Sequence, residues 1–296
     1  MAVGELLHEE PVVRPVRWRW AALRRAPVIP LGIITVMVLT AMLADVLTPY
    51  SPVDISLPER LRPPFWERGG SLAHPLGTDP MGRDLLTRMI YGARISLMVG
   101  FLGLLVGGGV GACLGLIAGY AGGRVDAFLM RVTDTTLSFP IILFAILLVV
   151  ILGGSLFTVV IAVALVLWAR FARVIRGEVL SLRERDFVAQ ARIAGSSPGR
   201  IILVHLFPNV LNTLVVLLSL QVGWVIIVEA SLSFLGAGVP PPTPTWGSMI
   251  AEGRDYIASA WWVSFFPGLA ILVTVLAFNL FGDWLRDALD PTLRQL

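Results

Sequence analysis

RERDFVAQARIAGSSPGRIILVHLFPN, residues 183–209, is polar and rich in arginine, and it lies between two long apolar segments. Asp186 is positioned to cap a helix that begins near Phe187. Val188, Ala191 and Gly195 recur at spacings of three and four residues, which places them on one side of that helix. The pattern predicts a short polar helix on which a soluble partner could push; spacing alone also allows a solvated amphipathic loop.

The second half of this stretch predicts the end of the helix and the start of the next segment. Gly195 is expected to end or turn the helix, and Ser197-Pro198 to begin the next segment. Pro208 then marks the entry into the following apolar span. Small residues on the helix would let a partner approach closely, and the nearby arginines could meet acidic residues on that partner; these are Arg183, Arg185, Arg192 and Arg200.

Apolar residues dominate the composition. Of 296 residues, 56% are hydrophobic and 15% are charged, whereas an ordinary soluble protein carries about 25% charged residues. The apolar residues occur in long blocks, which indicates an all-α integral membrane protein. Six blocks are long enough for a membrane helix, and they lie at residues 28–47, 95–118, 136–152, 156–172, 210–235 and 262–281. Gly153-Gly154-Ser155 predicts a tight hairpin between the third and fourth.

Arginine supplies all the basic side chains, since the chain has no lysine. A P-loop needs the lysine of G-x-x-x-x-G-K-[ST] to reach nucleotide phosphates, so this chain is not expected to hydrolyse ATP by that route. The single cysteine and three scattered histidines suggest neither a disulfide nor a metal site. No basic groove with interleaved aromatic residues points to nucleic acid. We therefore expect no catalytic residues and no cofactor in this chain.

The distribution of arginine predicts the orientation. With both termini in the cytoplasm, sixteen of the 23 basic residues fall in cytoplasmic segments, as the positive-inside rule requires. This orientation makes residues 1–27 a cytoplasmic segment. The apolar core of the first span is too long for a typical signal peptide, so we expect that span to stay uncleaved. The same orientation places residues 48–90 and 236–260 outside, leaves 286–296 as a cytoplasmic tail, and puts the polar helix, within 184–200, inside. Residues 91–285 form a predicted five-helix core.

Two features within the spans suggest packing or function. Glycine recurs every fourth residue in the second span, and such a stripe lets another helix approach closely, either in this chain or in a partner subunit; the positions are Gly103, Gly107, Gly111, Gly115 and Gly119. Glu229 is an acid inside the fifth span, and intramembrane acids are costly. It is a candidate for structural hydrogen bonding, for a pathway or gate, or for proton coupling.

Residues 183–209 also resemble the coupling-loop motif of bacterial ABC importer permeases, which is EAA, three residues, G, nine residues, I-x-L-P. Ala189-Gln190-Ala191 fills the EAA position, Gly195 is the motif glycine, and residues 205–208 end on Pro208. Ala189 stands where the family usually has glutamate, which puts any specific charge contact there in doubt. The resemblance implies ATPase-coupling roles for Asp186, Ala189, Gln190, Ala191, Gly195 and Pro208.

Longer strings carry the resemblance across most of the chain. They resemble permeases of the dipeptide, oligopeptide and nickel importer family, and the GTDPMGRD and LRDALDP segments favour the second, C-type subunit. The strings are HPLGTDPMGRDLLTRMIYGARISLMVG (74–100), GLIAGYAGGRVDAFLMRVTDTTLSFP (115–140), ARFARVIRGEVLSLRERDFVAQARIAG (169–195), EASLSFLGAGVPPPTPTWGSMIAEGRDYI (229–257) and FPGLAILVTVLAFNLFGDWLRDALDP (266–291).

The resemblance implies a type I ABC importer permease fold with six transmembrane helices in the bacterial cytoplasmic membrane. Its expected partners are a homologous permease, two P-loop ATPase subunits that use ATP and magnesium, an extracytoplasmic substrate-binding protein and membrane lipid. Peptides are the expected substrate, with nickel chelates, glutathione or another small solute as alternatives. An ion-coupled secondary transporter remains the alternative from a different class; an intramembrane enzyme and a purely structural scaffold have less support.

Overall fold

The computed structural model describes residues 27–289, and these residues form a bundle of long helices without a named strand. We label the principal helices in chain order as α1 Val28–Met42, α2 Leu85–Ala121, α3 Gly123–Ser138, α4 Ile141–Leu152, α5 Leu156–Leu182, α6 Asp186–Ile193, α7 Phe207–Phe234, α8 Trp246–Gly253 and α9 Trp262–Leu289. Predictions for residues 1–26 and 290–296 lie outside the described range.

Four helices are long and apolar enough to cross a membrane. They are α2, α5, α9 and the continuous helix Pro198–Phe234 that contains α7. The bent pair α3 and α4 makes a fifth if it is counted as one broken span, and α1 is a shorter apolar helix. The chain therefore crosses the membrane more than once, and the protein is a multi-pass membrane protein.

The predicted third span, 136–152, is wrong as a single straight helix. α3 ends at Ser138, α4 begins at Ile141, and the two axes differ by 93°. Phe139 at the break is extended (φ −81°, ψ 139°), the conformation that a following proline favours because its ring disfavours the helical conformation of the residue before it. Beyond α4, Gly153 (φ +81°) and the Ser155 cap, whose side chain accepts from Thr158 N, make the predicted short connection to α5.

Several helices extend beyond the apolar runs that predicted them. α2 begins at Leu85, ten residues before the predicted span, and includes Arg88 and Arg94. Arg88 pairs with two acids, and Arg94 lies 3.2 Å from Asp45, so neither side chain interrupts the helix. α5 likewise continues to Leu182. A hydropathy window locates the apolar part of a helix and not its ends, because paired arginines are good helix formers.

The glycine stripe of α2 lies against α5 in the same chain. A Cβ atom at Gly107 would come within 2.8 Å of the Ala164 carbonyl oxygen, and one at Gly115 within 2.6 Å of the Ala172 carbonyl oxygen. Gly103 and Gly119 would likewise meet valine side chains of α5 at 2.7 Å. Close backbone approach between α2 and α5 therefore depends on the missing side chains.

The two segments predicted to lie outside form one folded cap. Residues 48–84 hold a single 3₁₀ turn, Leu57–Glu59, and residues 236–260 hold α8 and the 3₁₀ turn Arg254–Tyr256. The indole nitrogens of Trp246 and Trp262 donate to the carbonyl oxygens of Met89 and Thr78, at 3.0 and 3.1 Å. These bonds join the cap to the ends of α2 and α9.

Candidate functional site

The helix α6 lies in the polar turn between α5 and α7, and its start differs from the prediction. The helix begins at Asp186 itself, and Arg185 is the extended residue before it, with no side-chain cap. The predicted Asp186 cap is therefore wrong. As the first helical residue, Asp186 instead places its carboxylate beside the partially positive helix N-terminus.

Gly195 ends α6, as predicted. The amide of Gly195 bonds to the Arg192 carbonyl and that of Ser196 to the Ala191 carbonyl, both at 3.0 Å. This pattern is a Schellman motif, which needs a left-handed residue at the glycine position, and Gly195 has φ +78°. Ser197 then caps the next helix, which begins at Pro198.

The two sides of α6 face different surroundings. Val188 and Ala191 are buried in a cluster with apolar residues of α2, α5 and the start of the Pro198–Phe234 helix. Ala191 is therefore unavailable for direct contact with a partner, contrary to the expectation for that residue. The opposite side is exposed, and its residues are Asp186, Ala189, Gln190 and Ile193.

Two arginines predicted to meet a partner are used within the chain. Arg183 donates from Nη1 to the carbonyl oxygen of Gly119 at 2.9 Å, which satisfies a free carbonyl at the end of α2. The Arg192 guanidinium lies 5.6 Å from the centre of the Tyr120 ring. Both contacts fix α6 and its approach to the last turn of α2, whereas Arg185 and Arg200 are exposed.

Pro208 does not mark the start of a helix. It lies ten residues inside the continuous helix Pro198–Phe234, and one residue, Phe207, separates it from the π-helical turn Ile201–Leu206. The Phe207 amide bonds to the Ile202 carbonyl, five residues back. Because proline has no N–H and its ring crowds the preceding turn, the wider turn accommodates it without ending the helix.

Glu229 is completely buried between α2 and α7. Its carboxylate accepts hydrogen bonds from Ser96 Oγ at 2.9 Å and from Ser233 Oγ at 2.8 Å. Both oxygens therefore have donors from the same chain, which is the arrangement expected of a structural bridge between helices. A pathway or gate role for Glu229 stays a prediction.

Sequence reasoning missed a buried ionic cluster in the cap. Asp79 and Glu252 both contact Arg83 and Arg88; Arg83 lies 2.5 Å from Asp79 and 2.7 Å from Glu252. Arg88 is 1% exposed and Asp79 is 0% exposed, so pairing is required to offset their desolvation. The available signal was opposite charge in the two outside segments, GTDPMGRD and EGRDY.

A second set of ion pairs joins α3 to α5. Asp126 accepts two hydrogen bonds from Arg176, at 2.5 and 2.6 Å, and Asp134 lies 2.5 Å from Arg173. The two acids lie eight residues apart on α3, and the two arginines lie three residues apart on α5. Together they form two ion pairs between the helices. These contacts hold α3 against the side of α5 near the level of α6.

Comparison with known proteins identifies the class. Residues 111–295 match the model of the binding-protein-dependent transport system inner membrane component. The match covers more than half of the chain, including α3 to α9 and the polar turn. The chain therefore belongs to this family of membrane transport components.

Individual relatives narrow the class further. The chain is 45% identical over 278 residues to the dipeptide transport system permease protein DppC of Escherichia coli, covering 94% of this chain and 93% of the relative. It is 44% identical over 258 residues to the di/tripeptide transport system permease protein DppC of Pseudomonas aeruginosa, covering 87% and 85%. A Haemophilus influenzae dipeptide permease DppC is 40% identical over 278 residues, covering 94% of each chain.

A solved structure supports the fold. The inward-facing MetNI methionine ABC transporter contains a chain that aligns with a TM-score of 0.55 and 19% sequence identity, over 70% of this chain and 96% of that one. At this identity the likeness concerns the fold alone.

Proposed function

We propose that this chain is one transmembrane half of an ATP-driven importer of di- or oligopeptides. The relatives named as dipeptide and di/tripeptide permeases, at 40 to 45% identity over most of their length, support the substrate class. The chain supplies a path for the substrate and no catalysis. It crosses the membrane six times, with α1 and α4 each counted as one crossing, and both termini are cytoplasmic.

In this proposal α6 is the coupling helix that receives motion from an ATPase subunit. The observation that carries it is the division of α6 into a buried side and an exposed side. On the exposed side, Ala189 is small and Gln190 is uncharged. Ile193 on the same side is 88% exposed. An isoleucine side chain so exposed on a polar turn is suited to enter an apolar groove of a partner.

The buried side of α6 transmits that motion. Val188 packs with Ile175 and Val179 of α5 and with Leu206 of the next helix. Only three residues separate α6 from α5, and four separate it from Pro198. A displacement of α6 therefore tilts α5 and α7 together, which would alternate the path between its outward-facing and inward-facing states.

The expected partners fit this arrangement. A homologous permease completes the path, two P-loop ATPases bind ATP and magnesium on the cytoplasmic side, and an extracytoplasmic binding protein delivers the peptide to the cap. The test is uptake of a radiolabelled dipeptide into cells that lack their own dipeptide permease, with this chain and its neighbouring subunits restored together. Uptake that persists when the ATPase subunits are omitted, and that a protonophore abolishes, would replace this proposal with ion-coupled transport.

A further inference from the structure

The helix α3 has an exposed face that the coupling role of α6 does not account for. Its inward side carries Asp126 and Asp134, which pair with α5. Its outward side carries three exposed apolar side chains at spacings of three and four residues, Val125 at 47%, Phe128 at 68% and Val132 at 40% exposure. Such spacing aligns them in one stripe along the helix.

Two arginines border this apolar stripe. Arg124 and Arg131 lie seven residues apart, hence on one side of α3, and both are exposed. Within residues 27–289 neither forms an ion pair, whereas the acids of the same helix are already neutralised by Arg176 and Arg173. The exposed surface of α3 is therefore apolar along one strip, with these two arginines at its edge, while the exposed carboxylate of Asp134 is paired with Arg173.

The position of α3 along the bundle identifies its surroundings. Arg173 and Arg176, which bind α3, lie 17 and 20 residues from the start of α5 at Leu156. At 1.5 Å per residue these are distances of about 26 and 30 Å, and the hydrocarbon core is about 30 Å thick. α3 thus lies at the membrane boundary opposite the cap, and the 93° bend turns its axis away from that of α4 and toward the membrane plane.

We propose that α3 is an interfacial helix of the cytoplasmic leaflet. Val125, Phe128 and Val132 lie among the acyl chains, and Arg124 and Arg131 bind the phosphate groups of anionic lipid. A helix with an exposed apolar strip bordered by basic residues is the kind that lies in the headgroup region. The cytoplasmic assignment rests on the orientation in the proposed function; the depth does not.

This placement has a mechanical consequence. The ion pairs from α3 hold α5 at Arg173 and Arg176, within the last three turns of α5 before the chain enters α6. Because α3 is held by lipid on one side and by α5 on the other, the tilt of α5 is opposed by the lipid interface. The rate of transport should therefore respond to the fraction of anionic lipid.

The test uses the complete transporter with its partner subunits in lipid nanodiscs, in a Cys113→Ser background. A nitroxide label at Phe128→Cys should be mobile, accessible to oxygen and shielded from a water-soluble nickel chelate. A label at Ala127→Cys, one residue away but outside the apolar stripe, should be accessible to the chelate. An immobilised label at position 128 would show that a protein subunit covers the stripe, and chelate access there would show water; either result overturns the proposal.

Lipid selectivity is measured separately with spin-labelled phosphatidylglycerol and phosphatidylcholine. The double variant Arg124→Gln, Arg131→Gln should weaken the preference for phosphatidylglycerol by up to about five-fold per arginine, since one basic residue near an anionic surface contributes about 1 kcal/mol. The matched control Arg68→Gln, Arg254→Gln removes two exposed arginines from the cap and should leave that preference unchanged. An unchanged preference in the α3 variant would refute the arginine contacts.

The label measurements need no transport, so failure of the interfacial-helix proposal can be distinguished from failure of the proposed transport function. If the complex imports no peptide but the labels show the expected accessibility, the transport proposal is wrong and the interfacial position of α3 still holds. A membrane-impermeant maleimide determines on which side of the membrane α3 lies. It should react with Ala127→Cys in inside-out vesicles and not in intact cells.

Discussion

Val188 and Ile193 lie on opposite sides of the same eight-residue helix, and truncating each to alanine should have opposite consequences. Val188 is fully buried in the chain, whereas Ile193 is 88% exposed. Val188→Ala removes two buried methyl groups. At about 0.8 kcal/mol each, with a further contribution from the cavity that remains, the loss is about 2 kcal/mol of stability at this cluster.

Ile193→Ala removes an exposed side chain and should leave the stability of the isolated chain within about 0.5 kcal/mol of the original. It should instead weaken binding of the ATPase subunits, because the proposed contact of α6 is removed. Val188→Ala should preserve that contact while loosening α6 from α5 and α7. ATP hydrolysis would then continue with reduced peptide uptake.

The assay compares three quantities for each variant: thermal unfolding of the purified permease, the amount of ATPase that co-purifies, and the ratio of peptide imported to ATP hydrolysed. Val188→Ala should lower the first and the third, and Ile193→Ala should lower the second. Equal profiles for the two variants, or full ATPase recovery with Ile193→Ala, would refute the division of α6 into a transmitting side and a docking side.

Three further substitutions test the packing. Gly111→Ala should destabilise the chain by about 1 to 3 kcal/mol because its Cβ would overlap atoms of α5, whereas Gly109→Ala on the same helix has no atom within 4 Å and should be neutral or slightly stabilising; thermal unfolding compares them. Gly195→Ala should cost about 1 to 2 kcal/mol from its left-handed backbone alone, and Gly199→Ala, without that conformation, supplies the control in the same melting experiment. Glu229→Ala should cost about 1 to 3 kcal/mol by leaving two buried hydroxyls without their acceptor, while Glu229→Gln should recover most of that loss. If the glutamine variant kept its melting temperature but lost peptide uptake, that result would instead favour a pathway role for Glu229.

The turn containing α6 shows how far local sequence information extends. Gly195 ended the helix as expected, because a left-handed position after a helix is a local requirement that glycine meets without neighbours. The predicted start was wrong because Asp186, although a preferred residue for the position before a helix, is the first helical residue, and Arg185 takes the position before it with no side-chain cap. The prediction that Pro208 marks the start of a span was also wrong. A proline usually interrupts a helix, but the π-helical turn before it lets this helix continue.

Composition determined that this chain is a multi-pass, helical membrane protein, and the motif and glycine spacings located its polar turn and one close helix contact. These are properties of single segments, and apolar length, turn chemistry and periodicity are written in adjacent residues. Only the tertiary structure decided which surfaces are used within the chain. It buried Val188 and Ala191, enclosed Glu229 between two serines, and paired the α3 acids with Arg173 and Arg176. Those outcomes depend on which helices become neighbours, because a side chain's burial and partners are set by residues distant in the sequence.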